Sequence, residues 1–490
     1  MSEGGFIGTP VFDPLRLSAT SLDVQAVRHL GAAGIRARQD SRLRALVKSA
    51  RERSALYREL LPEGGISGVD DLARLPVVGR ALLMQRFDDW VTDAEIRQPA
   101  LRAFMDDPQR IGSAYLGRYI VWESSGTSGT PGLFVQDARA MAVYDALEAL
   151  RRHQLRPLQR LFDPLYLSER LAFVGATGGH FASVVSVERL RRLNPWMSVA
   201  FHSISLLQPT AAIVEQLNAL APTILVTYPT AAALLAEQAR SGALTVRPAE
   251  IWTGGETLTA PVRRFIEEAL GCTVCNSYGA SEFLSIGWEC AQGHMHANTD
   301  WVILEPVDER MRPVPAGEAS HTTLLTNLAN HVQPLIRYDL GDSLRISDAP
   351  CACGSPLPVI EVQGRQDDPL TLRDAHGQPV TWLPLALSTL LEEQAGVYDF
   401  QLLQRDARSV AVRVGDGGGA PEAARRAIAR CSKALHELAA RDGIAGLRIV
   451  EEPGEPLEHG HSGKVKRVIG ADAADVAAPV RRAPPKVKPK

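Results

Sequence analysis

The chain has 490 residues, a formal net charge of −3 and 45% hydrophobic residues. That length accommodates two or three domains with packed cores, and the near-neutral charge offers no global attraction for nucleic acid or a membrane surface. No apolar run of about 18 residues is present, and the start, Met1-Ser2-Glu3-Gly4-Gly5, lacks the basic end and apolar core of a secretory signal. A soluble cytoplasmic protein is therefore expected, with no nucleic-acid or membrane partner. Six cysteines are too few for a disulfide framework in a chain this long.

Along the chain, Leu43, Leu46, Val47 and Ala50 fall at helical spacing within residues 38–61, which predicts a surface helix near the N-terminus. Tyr119-Ile120-Val121-Trp122 reads as a strand. Met141, Tyr144, Leu147 and Leu150 predict a helix over 140–152. Strands are expected at 224–227, 251–253 and 273–276. A helix from Thr230 to about Arg240 separates the first two. A second, marked by Val262, Phe265, Ile266 and Ala269 and stopped by Gly271, precedes the third. This alternation predicts α/β structure with parallel strands. Beyond about residue 300, strands at 301–304 and 322–326 follow without helices between them, so a small β-rich subdomain is expected. A new α+β unit begins near Asp367, with strands at 410–414 and 447–450 and a helix over 421–441. The end, from Arg481 to Lys490, is Pro-rich and basic and is expected to be a disordered, solvated tail.

Several short motifs carry chemistry. Ser124-Ser125-Gly126-Thr127-Ser128-Gly129-Thr130-Pro131 follows the first predicted strand. Its glycines permit tight turns, and its hydroxyls and free amides can close around phosphate oxygens, as ATP requires while its α-phosphate is attacked. Thr253-Gly254-Gly255-Glu256 ends a predicted strand, where glycines leave room for a flat ligand. Ser277-Tyr278-Gly279-Ala280-Ser281-Glu282 is expected directly after the next strand. Its ring can stack on a base, a hydroxyl can reach a phosphate, and Glu282 can hold Mg²⁺. Arg337-Tyr338-Asp339-Leu340-Gly341-Asp342 offers a carboxylate to ribose hydroxyls. Cys290, His294 and His296 in one segment and Cys351 and Cys353 in another give thiolates and imidazole at spacings that suit tetrahedral Zn²⁺, against the alternative of three reduced cysteines.

Together these motifs resemble the acyl-adenylate-forming superfamily, in particular its phenylacetate–CoA ligase branch, from about residue 75 to 470. In the superfamily the phosphate loop is often followed by lysine after the proline; here Gly132 follows, as in that branch. The resemblance implies a large multi-layer α/β adenylate-forming domain (1–366) with a β-rich, zinc-bearing part, a small mobile α+β domain (367–472) and a tail (473–490). It places ATP against Ser124, Ser125, Gly126, Ser128, Gly129, Thr130, Gly254, Gly255, Glu256, Ser277, Tyr278, Gly279, Ala280, Ser281, Asp342 and Arg365, with Asp339 structural. Thr127, Glu282 (with Mg²⁺) and Lys464 would be catalytic. Gly364-Arg365-Gln366-Asp367-Asp368 resembles the hinge motif, with Asp367 as pivot, and His461-Ser462-Gly463-Lys464 the terminal Gly-Lys motif. The zinc site of some members implies Cys290, His296, Cys351 and Cys353, which selects His296 over His294. The acyl pocket would lie near Gly179, His180, Phe181 and Tyr228, with His180 meeting either a substrate substituent or a backbone carbonyl.

The activity so implied is ATP-dependent conversion of a carboxylic acid, an aryl acid by this reading, to an acyl-adenylate with pyrophosphate release, then transfer to CoA. A possible homodimer is left open. The segment 369–379 carries Gly377 as its only glycine, where thioester-forming relatives usually have a glycine-rich hairpin. A carrier-protein thiol or an amine therefore stays open as the acceptor, as does an inert nucleotide-binding protein.

Overall fold

The computed structural model describes residues 11–124, 131–152, 155–163, 167–194, 198–206, 208–365, 370–382, 384–415, 421–458 and 465–471. Its contacts divide the chain into two units: among the described residues, the first holds those up to the strand Val359–Arg365 together with Val465, and the second holds 370–458, from the strand Leu370–Arg373 on, and 466–471.

The first unit is built on a nine-stranded sheet. Its parallel half, from the edge inward, is Phe201–Ser205, Leu171–Gly175, Ile224–Thr227, Glu250–Gly254 and Thr273–Ala280. Helices Ala182–Leu193, Thr210–Leu220, Pro229–Arg240 and Ala260–Leu270 make the crossovers that parallel strands need. The last is bounded by its own sequence: the Thr259 hydroxyl accepts from Val262 N, and Gly271 ends the helix at φ 65°.

The β-rich region departs from expectation. Four strands, Phe283–Glu289, Met295–Ala297, Val359–Arg365 and Asp342–Ile346, do not form a separate subdomain but extend the main sheet in antiparallel pairing. A distinct three-stranded sheet holds Val302–Val307, Thr322–Asn327 and Tyr338–Asp339. The reason is pairing: the strand Thr273–Ala280 has a free edge, and the segment after Glu282 turns back on it (Ala280 opposite Phe283).

The predicted N-terminal helix is two helices, Ala32–Arg53 and Ala55–Leu60, broken at Ser54, whose hydroxyl accepts from Tyr57 N. It is not merely a surface helix, because Leu43, Leu46, Val47 and Ala50 are buried in the main core. That core also holds Trp122, Leu147 and Phe283.

One buried ion pair joins the helix Ala138–Arg151 to the segment before Val302. Arg151 grips Asp300 through Nη2–Oδ2 at 2.8 Å and Nη1–Oδ1 at 3.1 Å, and its Nη1 donates to Asn298 Oδ1 at 2.7 Å. Asp300 is fully buried. Asp300→Ala is expected to destabilise the protein by about 3–5 kcal/mol, because it strands the Arg151 charge in the interior. Chemical denaturation of the variant checks this; a loss below about 1 kcal/mol would show that the pair is dispensable.

In the second unit, strands Arg448–Glu451, Ser409–Val414, Phe400–Asp406 and Val468–Ile469 lie side by side in that order. The helix Pro421–Arg441 buries Ile428, Cys431, Leu435 and Leu438 in the same core as Leu402, Val410 and Val412, an i, i+3, i+4 stripe facing alternate strand residues. A hairpin, Leu370–Arg373 with Pro379–Trp382, covers the atypical segment. Its turn is closed by Asp374 Oδ1, which accepts from His376 N and Gln378 N, with Gly377 at φ 80°. No helix among the described residues is long and apolar enough to cross a membrane.

Candidate active site and metal centre

Strand register gathers the motifs. Val174 pairs with Thr227, Thr227 with Thr253, and Gly254 with Ser277. Gly175–His180, Tyr228, Gly254–Glu256 and the 277–282 motif therefore lie at one end of the sheet, the carboxyl ends of its parallel strands, where ligands bind in open α/β sheets. Gly255 has φ 78°, a backbone conformation that favours glycine.

The 277–282 motif lies differently from expectation. Ser277 through Ala280 belong to the strand itself, which runs on because the antiparallel partner pairs with it beyond the parallel strands' end. Ser281 and Glu282 form the tight turn between the two. A side chain at Gly279 would meet Leu284 O at 1.9 Å, so only glycine lets these backbones approach. The turn is pinned from outside: Trp122 Nε1 donates to Ser281 O at 2.8 Å, and Asn327 Nδ2 donates to Glu282 O at 2.9 Å. Glu282 is buried. Its carboxylate interacts with the Tyr338 phenol, which burial and this neighbouring charge push above the ordinary tyrosine range.

Tyr278 and Asp342, distant in sequence, touch: the Tyr278 hydroxyl donates to Asp342 Oδ2 at 2.5 Å. Asp342 is also the register partner of Arg365 at the backbone. Asp339 is engaged otherwise, accepting from Thr322 Oγ1 at 2.6 Å and Gly341 N at 3.1 Å. The Ser277 hydroxyl donates to Thr253 O at 3.2 Å.

The expected phosphate loop connects the strands of a hairpin, Ile120–Glu123 with Leu133–Gln136. At its base Ser124 N donates to Gly132 O, and Gly132 N donates to Ser124 Oγ, both at 2.8 Å. The Ser124 hydroxyl is thus part of the stem. Ser125, Gly126, Thr127, Ser128, Gly129, Thr130, Asp367 and Lys464 lie outside the described residues, as do the Arg365 side chain and the tail.

At the expected acyl pocket, Gly179 and Phe181 flank His180, whose backbone O accepts from Glu123 N at 2.8 Å. The His180 ring is buried; it faces Phe104 at 6.0 Å and the Met105 and Arg110 backbone, and burial lowers its pKa. Tyr228 is also buried, its phenol interacting with Ser183 and the Ala176 backbone. Tyr228 therefore has internal partners, whereas neither buried ring nitrogen of His180 has a hydrogen-bond partner. Beside them Glu256 Oε2 accepts from Thr230 N at 3.1 Å and Thr230 Oγ1 at 2.8 Å.

At the other end of the sheet, Cys290, His296, Cys351 and Cys353 bring their ligand atoms within 4.8 Å of one another. Cys290 follows the strand Phe283–Glu289, and His296 lies in the strand Met295–Ala297. The two other cysteines come from the connection into Val359–Arg365, where Val359 pairs with His296. The Cys290 and Cys351 sulfurs are 3.9 Å apart, and His296 Nε2 is 3.3 Å from Cys353 Sγ. A tetrahedral zinc with bonds of about 2.3 Å to sulfur and about 2.0 Å to nitrogen needs separations of about 3.8 and 3.5 Å. His296 Nδ1 donates to Leu357 O at 2.8 Å, which leaves Nε2 with its lone pair toward the sulfurs. His294 stands at the rim, its Nδ1 3.2 Å from Cys351 Sγ. The other cysteines are different: burial pushes the thiols of Cys275 and Cys431 up to about 11 and about 12, so they stay protonated.

No family model matches the chain. The fold, however, is similar to that of a solved CoA ligase. Over 92% of each chain it superposes, with a TM-score of 0.65 and 20% identity, on 2-hydroxyisobutyryl-CoA ligase in its postadenylation state with R3-HIB-AMP. The open conformation of that enzyme, with 2-HIB-AMP and CoA, matches with a TM-score of 0.57 and 22% identity, over 85% of this chain and 92% of that one. In sequence, the chain is similar to phenylacetate-coenzyme A ligase of Thermus thermophilus: 27% identical over 363 residues, 70% of this chain and 73% of that protein. The resemblance read from the motifs therefore holds in both sequence and fold. Asn327, which holds the Glu282 turn, has no motif around it and is evident only in three dimensions.

Proposed function

We propose that this chain uses ATP to convert a carboxylic acid, an aryl acid by our reading, to an acyl-adenylate with release of pyrophosphate, and passes the acyl group to CoA. The observation that carries the proposal is the Tyr278–Asp342 contact at the end of the sheet that also bears Glu282. It supports a nucleoside site in which Tyr278 stacks on adenine, Asp342 accepts the ribose hydroxyls and the Gly254–Gly255 turn makes room for the base. Bound at Glu282, Mg²⁺ would supply charge neutralisation at the α-phosphate. Thr127 and the other loop residues would hold phosphate oxygens, and Lys464 would add a cation in the closed arrangement of the C-terminal domain, which pivots at Asp367. Similarity to a phenylacetate–CoA ligase supports an aryl acid and CoA.

The cluster of Cys290, His296, Cys351 and Cys353 is, in this proposal, a structural zinc site. Four protein ligands leave no open position for chemistry.

Acid-dependent ATP–pyrophosphate exchange across a panel of aryl and fatty acids, followed by thioester detection with CoA, tests the proposal. Exchange with an aryl acid and a CoA product is expected. Exchange without CoA product would move the acceptor to a carrier thiol or an amine, the reading that the single-glycine hairpin favours. No exchange with any acid would overturn the proposal.

A further inference from the structure

The residues 124–132 contain no cation, although a polyphosphate is what such a loop would enclose. A cation lies on the short helix that packs against the base of this loop. Met84, on the helix Arg80–Gln85, receives a hydrogen bond at its sulfur from Leu133 N at the loop's base, 3.4 Å away. Arg80 is four residues earlier, on the same helix face. On its other side, Val78 bridges in parallel to Tyr338, with Val78 N to Arg337 O at 3.1 Å and Asp339 N to Val78 O at 2.9 Å. This brings Arg80 to the Tyr338 phenol, which also interacts with the Glu282 carboxylate. Arg80 Nε and Nη1 are occluded from solvent and have no hydrogen-bond partner. Buried donors without partners are costly and rare, and a guanidinium presents its donors as a planar fork that fits two phosphate oxygens.

Resting on the nucleotide reading above, we infer that Arg80 is a phosphate ligand of the active site: it grips the outer phosphates of ATP, between the loop stem and Glu282, and supplies the cation that the loop lacks. Its role is distinct from that of Lys464, which belongs to the α-phosphate in the closed arrangement. AMP, which has no outer phosphates, gives Arg80 nothing to hold.

The experiment is titration calorimetry of wild type, Arg80→Gln and Arg80→Lys with ATP, inorganic pyrophosphate and AMP, alongside thermal melting. Arg80→Gln is expected to weaken ATP and pyrophosphate by about tenfold or more, as loss of a charged bidentate contact implies, and to leave AMP within about twofold. Arg80→Lys keeps the charge but not the fork and should fall between. ATP binding equal to wild type in Arg80→Gln would overturn the assignment. So would equal weakening of ATP and AMP, which would make Arg80 a support for Tyr338 and Glu282. If Arg80→Gln fails to fold, Arg80→Lys decides by the same ATP-to-AMP ratio. Wild type that binds none of the three ligands would overturn the nucleotide site itself, and the Arg80 assignment with it.

Discussion

Lys464→Ala is expected to lower acid-dependent ATP–pyrophosphate exchange by on the order of 100-fold or more, the cost of removing one charged contact made in the transition state. Thioester formation from pre-made acyl-adenylate should fall far less. The argument is positional. In the proposal Lys464, after His461-Ser462-Gly463, is carried by the mobile C-terminal domain (367–472), apart in sequence from Tyr278, Asp342 and Glu282. A cation carried on a mobile domain can serve one half-reaction and withdraw for the other. The two half-reactions, measured separately, check this; equal loss in both would show that Lys464 is not specific to adenylation.

Removing the zinc proposed at the cysteine cluster should have the larger effect on stability. Purified protein is expected to contain about one zinc per chain, and Cys353→Ser to lower both metal content and melting temperature. Cys353 Sγ stands 3.3 Å from His296 Nε2 and accepts from Ser355 N at 3.4 Å, so it is held by the cluster and by its own loop. The four ligands tie Met295–Ala297 and the strand Phe283–Glu289, which precedes Cys290, to the loop entering Val359–Arg365. That strand carries Gly364 and Arg365 opposite Ser343 and Asp342. Loss of metal should therefore loosen the outer antiparallel strands first, and a chelator should lower the melting temperature before it abolishes exchange. Elemental analysis and melting with and without chelator measure this. A metal-free preparation as stable as the metal-loaded one would remove zinc from the site.

Local sequence determined much of this protein. The apolar run at 224–227, the Thr259 cap and Gly271 stop of one helix, and the stripe of Ile428, Cys431, Leu435 and Leu438 each specify their element through spacing and capping within a few residues. The glycine and hydroxyl content of the expected phosphate loop was legible for the same reason; the cysteines and histidines were legible as two short clusters, and the choice of His296 over His294 came from the family resemblance. Tertiary structure alone decided where the antiparallel strands go. Whether Phe283–Glu289 starts a new subdomain or extends the sheet depends on the free edge of a strand formed elsewhere. It alone joined Tyr278 to Asp342, drew Trp122 and Asn327 to the Glu282 turn, and set Met84, on the helix of Arg80, against the loop stem. Those contacts are made by residues tens to hundreds of positions apart. No periodicity encodes them; they exist because chain segments with unrelated local patterns are packed into one core, and packing selects partners by proximity rather than by sequence distance.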